Sequence, residues 1–294
     1  MFRHKRQNQY LTPSQPLPQK FLFDKVLVGI ILIILGLGLT MVASASIDIS
    51  EHQYGWPFHY LFRQLLYLLL AFVVGGALMF VSVEQFKKSA GKLLIFSAVL
   101  LFLVLVPGIG RHVNGSARWI GVGPIGLQVS ELVKLTVVLY IASYLLRKQK
   151  EVESSVIGFL KPIVIVGCLG LLLLAEPDFG AFVVIMATTL MMLFLSGLRL
   201  KYFLILLAVV VVLFAIIAIS SPYRMERLTT FLNPWQYRYQ SGYQLTQSLI
   251  AFGRGHWFGV GLGNSIQKLF YLPEAHTDFL FAILAEEFGL LGVL

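Results

Sequence analysis

The sequence predicts an all-α fold: a polytopic membrane helical bundle with a large extracytoplasmic loop. Three observations carry that prediction. Of 294 residues, 57% are hydrophobic and only 13% charged, with a mean hydropathy of +0.81. A soluble domain carries about 25% charged residues, so too few charges are present to cover so apolar an interior. The apolar residues fall in runs near the roughly 20 residues that cross a bilayer. Lysine and arginine, which give a net charge of +9, are distributed unevenly between the connections. That pattern reads as cationic flanks of membrane spans rather than as a nucleic-acid surface.

Residues 1–25 are polar and basic and contain Pro13, Pro16 and Pro18. No apolar stretch precedes Phe21, so the first span is expected to be retained rather than cleaved. This stretch reads as a cytoplasmic basic tail, with 26–294 as the transmembrane domain. Eight apolar segments follow: Val26–Ser46, Gln64–Val83, Leu93–Pro107, Gln128–Leu146, Pro162–Ala175, Phe179–Ser196, Phe203–Ser220 and Phe279–Leu294. Helices satisfy their own backbone in hydrocarbon, so each is assigned as one. The last stops after 16 residues without a polar flank, which predicts a span cut short. With the N-terminus inside, residues 1–25, 84–92, 147–161 and 197–202 carry fourteen of the 23 cations. The outer connections carry eight, and Lys134 lies within a span. That asymmetry orients the bundle. Cys168 is the single cysteine and forms no internal disulfide.

The outer connections hold the chemistry. Loop 108–127 contains Arg111, Arg118 and Trp119. A tryptophan there is ordinary at a membrane interface, whereas an arginine beside it can clamp a phosphate through two parallel N–H donors. Glu131 and Lys134 stand three apart on one helical face. They read either as a neutralising pair or as an anion-handling lysine held by a carboxylate, facing the bundle interior. Glu176-Pro177-Asp178 joins two spans, with Asp178 placed as a helix N-cap or as a functional carboxylate.

Loop 221–278 is about 58 residues long, far beyond a usual connection. It carries Arg224, Arg227, Tyr243, Gln244 and the glycine run Gly259–Gly263. The run reads as a tight turn or as exposed N–H groups for a phosphate. The loop ends at His276, Thr277 and Asp278. A carboxylate partly desolvated beside Phe279 suits general-base work, while Thr277 or Asp278 could equally cap the last helix. Glu286 and Glu287 are adjacent and cannot share one face, so at least one is expected to meet a cation or water in the interior, with Lys134 as one option.

These residues point to three classes: a lipid-linked transferase, a transporter or flippase, and a scaffold. The outer position of the rich loops favours the transferase. Three stretches also carry a family resemblance: Gly115–Lys134, Glu176–Ala181, and Asn233 through Gly289, including Lys268-Leu269-Phe270-Tyr271-Leu272-Pro273-Glu274-Ala275-His276-Thr277-Asp278-Phe279. From about Asp24 onward the chain resembles the SEDS family (shape, elongation, division, sporulation), and its division branch more than its elongation branch. The resemblance implies ten spans, of which about eight are present here. It implies a peptidoglycan glycosyltransferase polymerising lipid II at the septum of a bacterial inner membrane. Asp278 would be the general base. Arg118, Lys134 and Arg227 would stabilise the undecaprenyl pyrophosphate leaving group, Glu131 would hold Lys134, and Tyr243, Gln244 and His276 would line the sugar site. A divalent cation, magnesium or manganese, is a further source of charge, although no ligand cluster declares one. The implied partners are a class B penicillin-binding protein and other divisome membrane proteins. The alternatives are a lipid II flippase, which would make Glu131 and Lys134 matter more than Asp278, and a non-catalytic division scaffold.

Overall fold

The computed structural model describes residues 24–113, 116–122 and 125–294. The tail expected over residues 1–25 therefore lies almost wholly outside the described residues. Among the described residues, ten α-helices and one small sheet follow in chain order: α1 Lys25–Tyr54, α2 His59–Met79, α3 Val83–Val104, β1 Arg111–Val113, β2 Ser116–Val122, β3 Ile125–Gln128, α4 Val129–Ser154, α5 Val156–Ala175, α6 Phe179–Leu195, α7 Leu200–Ile219, α8 Pro222–Leu232, α9 Tyr243–Gly255 and α10 Leu280–Val293. A π-helical turn covers Gln267–Tyr271. Each of the eight apolar segments falls on a helix. Helices α1, α2, α4, α5 and α7 are long and apolar enough to cross a membrane, and α6 is a shorter apolar helix.

Local chemistry sets the helix ends. Asp24 accepts hydrogen bonds from the Val26 and Leu27 N–H groups at the start of α1. Gly55 ends that helix at φ 68°, its N–H donating to the Glu51 carbonyl. Ser82 and Gln85 form a reciprocal capping box on α3. Pro162 lies inside α5 and leaves the Gly158 carbonyl without its helical donor. The Tyr144 hydroxyl, from α4, donates to that carbonyl at 2.6 Å.

The chain divides into two compact units. One comprises residues up to Leu70 together with 230–294, and the other residues 71–229. The core of the second unit runs along α3–α7 through Leu101, Val133, Ile141, Leu173 and Leu193, all buried. A buried Ser97–Thr136 hydroxyl pair, 2.7 Å apart, fastens α3 to α4. The core of the first unit joins Met41 and Ala45 of α1, Ala251 of α9, Leu272 and Ala275 of the last loop, and Ala282 and Ile283 of α10.

Two findings amend the sequence reading. Loop 108–127 holds an antiparallel sheet in the order β1-β2-β3, so the fold is helical apart from this meander. The long loop is largely built, with α8, α9 and the π turn inside it.

Candidate active-site residues

In the second unit, β2 delivers Arg118 to the turn between α5 and α6. The turn is tight, with Pro177 at φ 33°. The Arg118 Nε donates to the Glu176 carbonyl at 3.2 Å and Nη2 to the Pro177 carbonyl at 2.6 Å. Asp178 caps α6, its Oδ1 accepting from the Ala181 N–H at 3.2 Å. The capping role thus falls to Asp178. Glu176 is buried, and neither carboxylate oxygen finds a hydrogen-bond partner among the described residues. Burial pushes its pKa up to about 8, with Asp178 adding to the rise and Arg118 opposing it.

Arg118 and Asp178 share the wall of a cavity of about 330 Å³ with Arg224 and Arg227 of α8. Arg224 sits over the Phe179 ring, 5.2 Å from its centroid, and donates to the Ile217 carbonyl at 2.8 Å. Arg227 lies over Tyr223 at 4.7 Å. Among the described residues none of the three guanidiniums makes a salt bridge. The sequence reading places Arg224 in the long loop without assigning it to the site. Its spacing of three from Arg227 on one helical face was the available signal.

Glu131 and Lys134 do pair, at 2.7 Å. α4 begins at Val129, so Glu131 stands in its first turn with its side chain 58% exposed, and Lys134, one turn on, is half-buried. A carboxylate there also complements the helix dipole.

In the first unit, Asp278 is exposed. The expectation of partial desolvation is not met within this unit. Its rival role as a helix cap is also removed, because α10 takes Phe279 as its N-cap with no side-chain cap bond. Glu274, at φ 56°, accepts from the Thr277 and Phe279 N–H groups and so folds the loop that presents Asp278. His276 packs on Tyr60 with ring centroids 4.3 Å apart. Burial holds its pKa below the usual imidazole value despite Glu274. Tyr243 opens α9, half-buried, and Gln244 beside it is exposed.

Lys134 is not the partner of Glu286 or Glu287. Glu286 pairs with Arg254 at 2.9 Å and accepts from the Ser265 hydroxyl. Glu287 pairs with Lys268 at 2.9 Å and accepts from Ser44 of α1 at 2.8 Å. The glycine run serves this same framework. The Val260 and Gly261 N–H groups donate to the Glu286 and Glu287 carbonyls, so these two donors are not free for a phosphate.

A family model described as a cell cycle protein, covering FtsW, RodA and SpoVE, matches residues 25–294. The chain belongs to that family. The probable peptidoglycan glycosyltransferase FtsW of Legionella pneumophila is 54% identical over 273 residues, which is 93% of this chain and 69% of that one. The corresponding protein of Coxiella burnetii is 57% identical over 92% of this chain and 73% of its own length. A chain from a peptidoglycan synthase complex, described as coordinating polymerization and crosslinking, superposes with a TM-score of 0.70. It is 27% identical, over 92% of this chain and 73% of that one. The rod-shape-determining protein RodA of Thermus thermophilus, at 24% identity, covers 94% of this chain and 71% of its own, and shares the fold with a TM-score of 0.60. This family member is a multi-pass membrane protein, and the two curated relatives described above are named FtsW.

Proposed function

We propose that this chain is a peptidoglycan glycosyltransferase that polymerises lipid II into glycan strands during cell division. The observation carrying that reading is the extended identity to proteins named peptidoglycan glycosyltransferase FtsW, 54–57% over more than nine-tenths of the chain. The setting we propose is the bacterial inner membrane at the septum, with the N-terminus cytoplasmic and loops 108–127 and 221–278 outside. A class B penicillin-binding protein that crosslinks the new strand is the proposed partner. The likeness to a chain of a synthase complex supports that assignment.

In the proposed reaction the 4-hydroxyl of one lipid II attacks the anomeric carbon of the growing chain. The new C–O bond forms as the bond to undecaprenyl pyrophosphate breaks. The hydroxyl proton passes to the Asp278 carboxylate, which no cap or ion pair occupies among the described residues. The departing pyrophosphate takes the electron pair and is stabilised by fixed positive charge. Arg118, Arg227 and Lys134 are assigned that role, with Glu131 holding Lys134. Tyr243, Gln244 and His276 are assigned to the sugars. No group of three His, Cys, Asp or Glu side chains among the described residues could hold a magnesium or manganese ion, and no step is assigned to one.

The test is polymerisation of purified lipid II by the full-length protein with its class B partner. Wild type should make long strands and Asp278→Asn, equally expressed and folded, none. Equal activity in both removes Asp278 as the base. Wild-type protein that moves lipid II across vesicles without polymerising it replaces this reading with a flippase centred on Glu131 and Lys134.

A further inference from the structure

Helices α4 and α5 enclose a groove that none of the residues assigned above occupies. Both helices are long and apolar enough to cross a membrane, so the turn between them at Ser155 lies at a membrane boundary. Helix α4 bends at Lys148, where φ −124° and ψ 22° leave the helical region. Helix α5 then packs closely, since a Cβ on Gly158 would lie 2.2 Å from the Glu151 carbonyl oxygen. Pro162 frees the Gly158 carbonyl, and the bond from the Tyr144 hydroxyl to it fixes that ring. The Tyr140 ring stacks beside it, with centroids 6.3 Å apart. The two rings, with Ile157, Leu160, Lys161 and Val164, line a groove of about 350 Å³.

All but one of the lining residues are apolar or aromatic; the exception is Lys161. Lys161 is exposed and makes no salt bridge among the described residues. A helical side chain leans toward the N-terminus of its helix, which for α5 is the membrane boundary. The Lys161 stem therefore carries its ammonium toward headgroup level, while the apolar wall continues inward to Val164 and Ile165. Residues 147–161 carry four cations, Arg147, Lys148, Lys150 and Lys161, against two carboxylates, Glu151 and Glu153. Glu151 is held by Lys148 at 2.5 Å, and Glu153 accepts from the Gln149 amide at 2.9 Å. The rim is thus net positive, and Ile157, Leu160 and Val164 stay exposed below it.

We propose that the α4–α5 groove binds an anionic diacyl phospholipid of the surrounding bilayer, its phosphate at Lys161 and one acyl chain against Leu160, Val164 and the two tyrosine rings. Charge complementarity selects the occupant. An apolar transmembrane helix laid in the groove would cover Lys161 without supplying an anion, which is costly. A phospholipid brings the anion and the apolar chain together, and basic recesses between membrane helices suit such headgroups. The chain gains little by leaving bulk lipid, which is equally apolar, so the headgroup charge supplies the preference. This inference needs only a membrane-spanning chain and is independent of the glycosyltransferase reading.

The test places the full-length protein in phosphatidylcholine nanodiscs doped with a phosphatidylglycerol that carries a diazirine on one acyl chain. Adducts mapped by mass spectrometry should concentrate within residues 140–165. Unlabelled phosphatidylglycerol should compete for them, and added phosphatidylcholine should not. Lys161→Gln should lower the labelling roughly fivefold, the effect of one cation at an anionic lipid, and Lys161→Arg should retain it. The side chain is exposed, and an unchanged thermal midpoint in both variants shows that the fold is kept. Equal labelling by a phosphatidylcholine probe means bulk lipid only and overturns the inference. Adducts spread beyond α4 and α5, or undiminished labelling in Lys161→Gln, overturn it too. Displacement of the probe by the membrane anchor of the class B partner assigns the groove to a protein helix instead.

Discussion

Both carboxylate oxygens of Glu176 are buried without a partner among the described residues, and burial lifts the pKa from 4.5 to about 8. The folded chain therefore binds a proton that the unfolded chain releases between these values. Stability from this group is complete below about 4.5 and is lost as pH rises through about 8. The purified protein should show a thermal midpoint that falls from pH 5 to pH 8 and then levels. Glu176→Gln, which cannot ionise, should flatten that slope; an unchanged slope assigns the dependence elsewhere. Beside it, Arg118 spends two donors on the carbonyls of the Glu176-Pro177 turn. Lysine keeps the charge but not the planar fork. Arg118→Lys should reduce lipid II polymerisation by roughly tenfold or more, and activity equal to wild type would mean that charge alone suffices. At this scale Arg118 and Asp278 stand out in the sequence as candidates, because a cation beside an interfacial tryptophan and an acid beside an apolar run are local signals. Glu176 was not legible as a buried acid, because its burial depends on how two helices and a strand distant in sequence close over it.

Helix α10 is tied to the rest of its unit by backbone contacts that leave no room for side chains. A Cβ on Gly259 would lie 2.1 Å from the Glu287 carbonyl oxygen, at φ 76°. Gly259→Ala should therefore destabilise by at least about 2 kcal/mol, read as loss of folded protein in detergent. Gly91→Ala on α3 is the contrasting case, since nothing lies within 4 Å of its added Cβ. It should be neutral or stabilising by up to about 1 kcal/mol. Helix α10 also carries Glu287 of the buried Lys268–Glu287 pair, with side chains 7% and 0% exposed. Lys268→Met strands a buried charge and should cost roughly 3–5 kcal/mol, whereas Lys268→Met combined with Glu287→Gln should recover much of it. Additive losses in the double variant would deny the coupling. Continuous apolar runs made the eight apolar segments readable as helices, five of them long and apolar enough to cross a membrane. The sheet escaped because its strands are only three, seven and four residues long and β2 carries Gly121. Helices α8 and α9 escaped because 11- and 13-residue amphipathic elements among glycines and aromatics resemble loop composition. The partners of Glu286 and Glu287 escaped for another reason. Arg254 lies 32 residues from Glu286 and Ser44 lies 243 from Glu287, and periodicity carries no information at that separation.

For the whole molecule the quantity at issue is sidedness, on which the assignment of Asp278 and Arg118 to lipid II chemistry depends. Fourteen of 23 cations fall in the four short segments assigned inside, and short cationic loops resist translocation. Under that assignment each chemically rich connection falls on the other side. If that orientation were reversed, the proposed base and the pyrophosphate cations would face the cytoplasm, and the polymerase reading would fail however suitable their chemistry. Two exposed positions decide the matter: Gln149, in segment 147–161, and Tyr239, in loop 221–278. In a Cys168→Ala background, a membrane-impermeant thiol reagent added to intact spheroplasts should label Tyr239→Cys. It should leave Gln149→Cys unlabelled until the membrane is opened. The reverse pattern would invert the topology, and with it the side on which any glycan strand could grow.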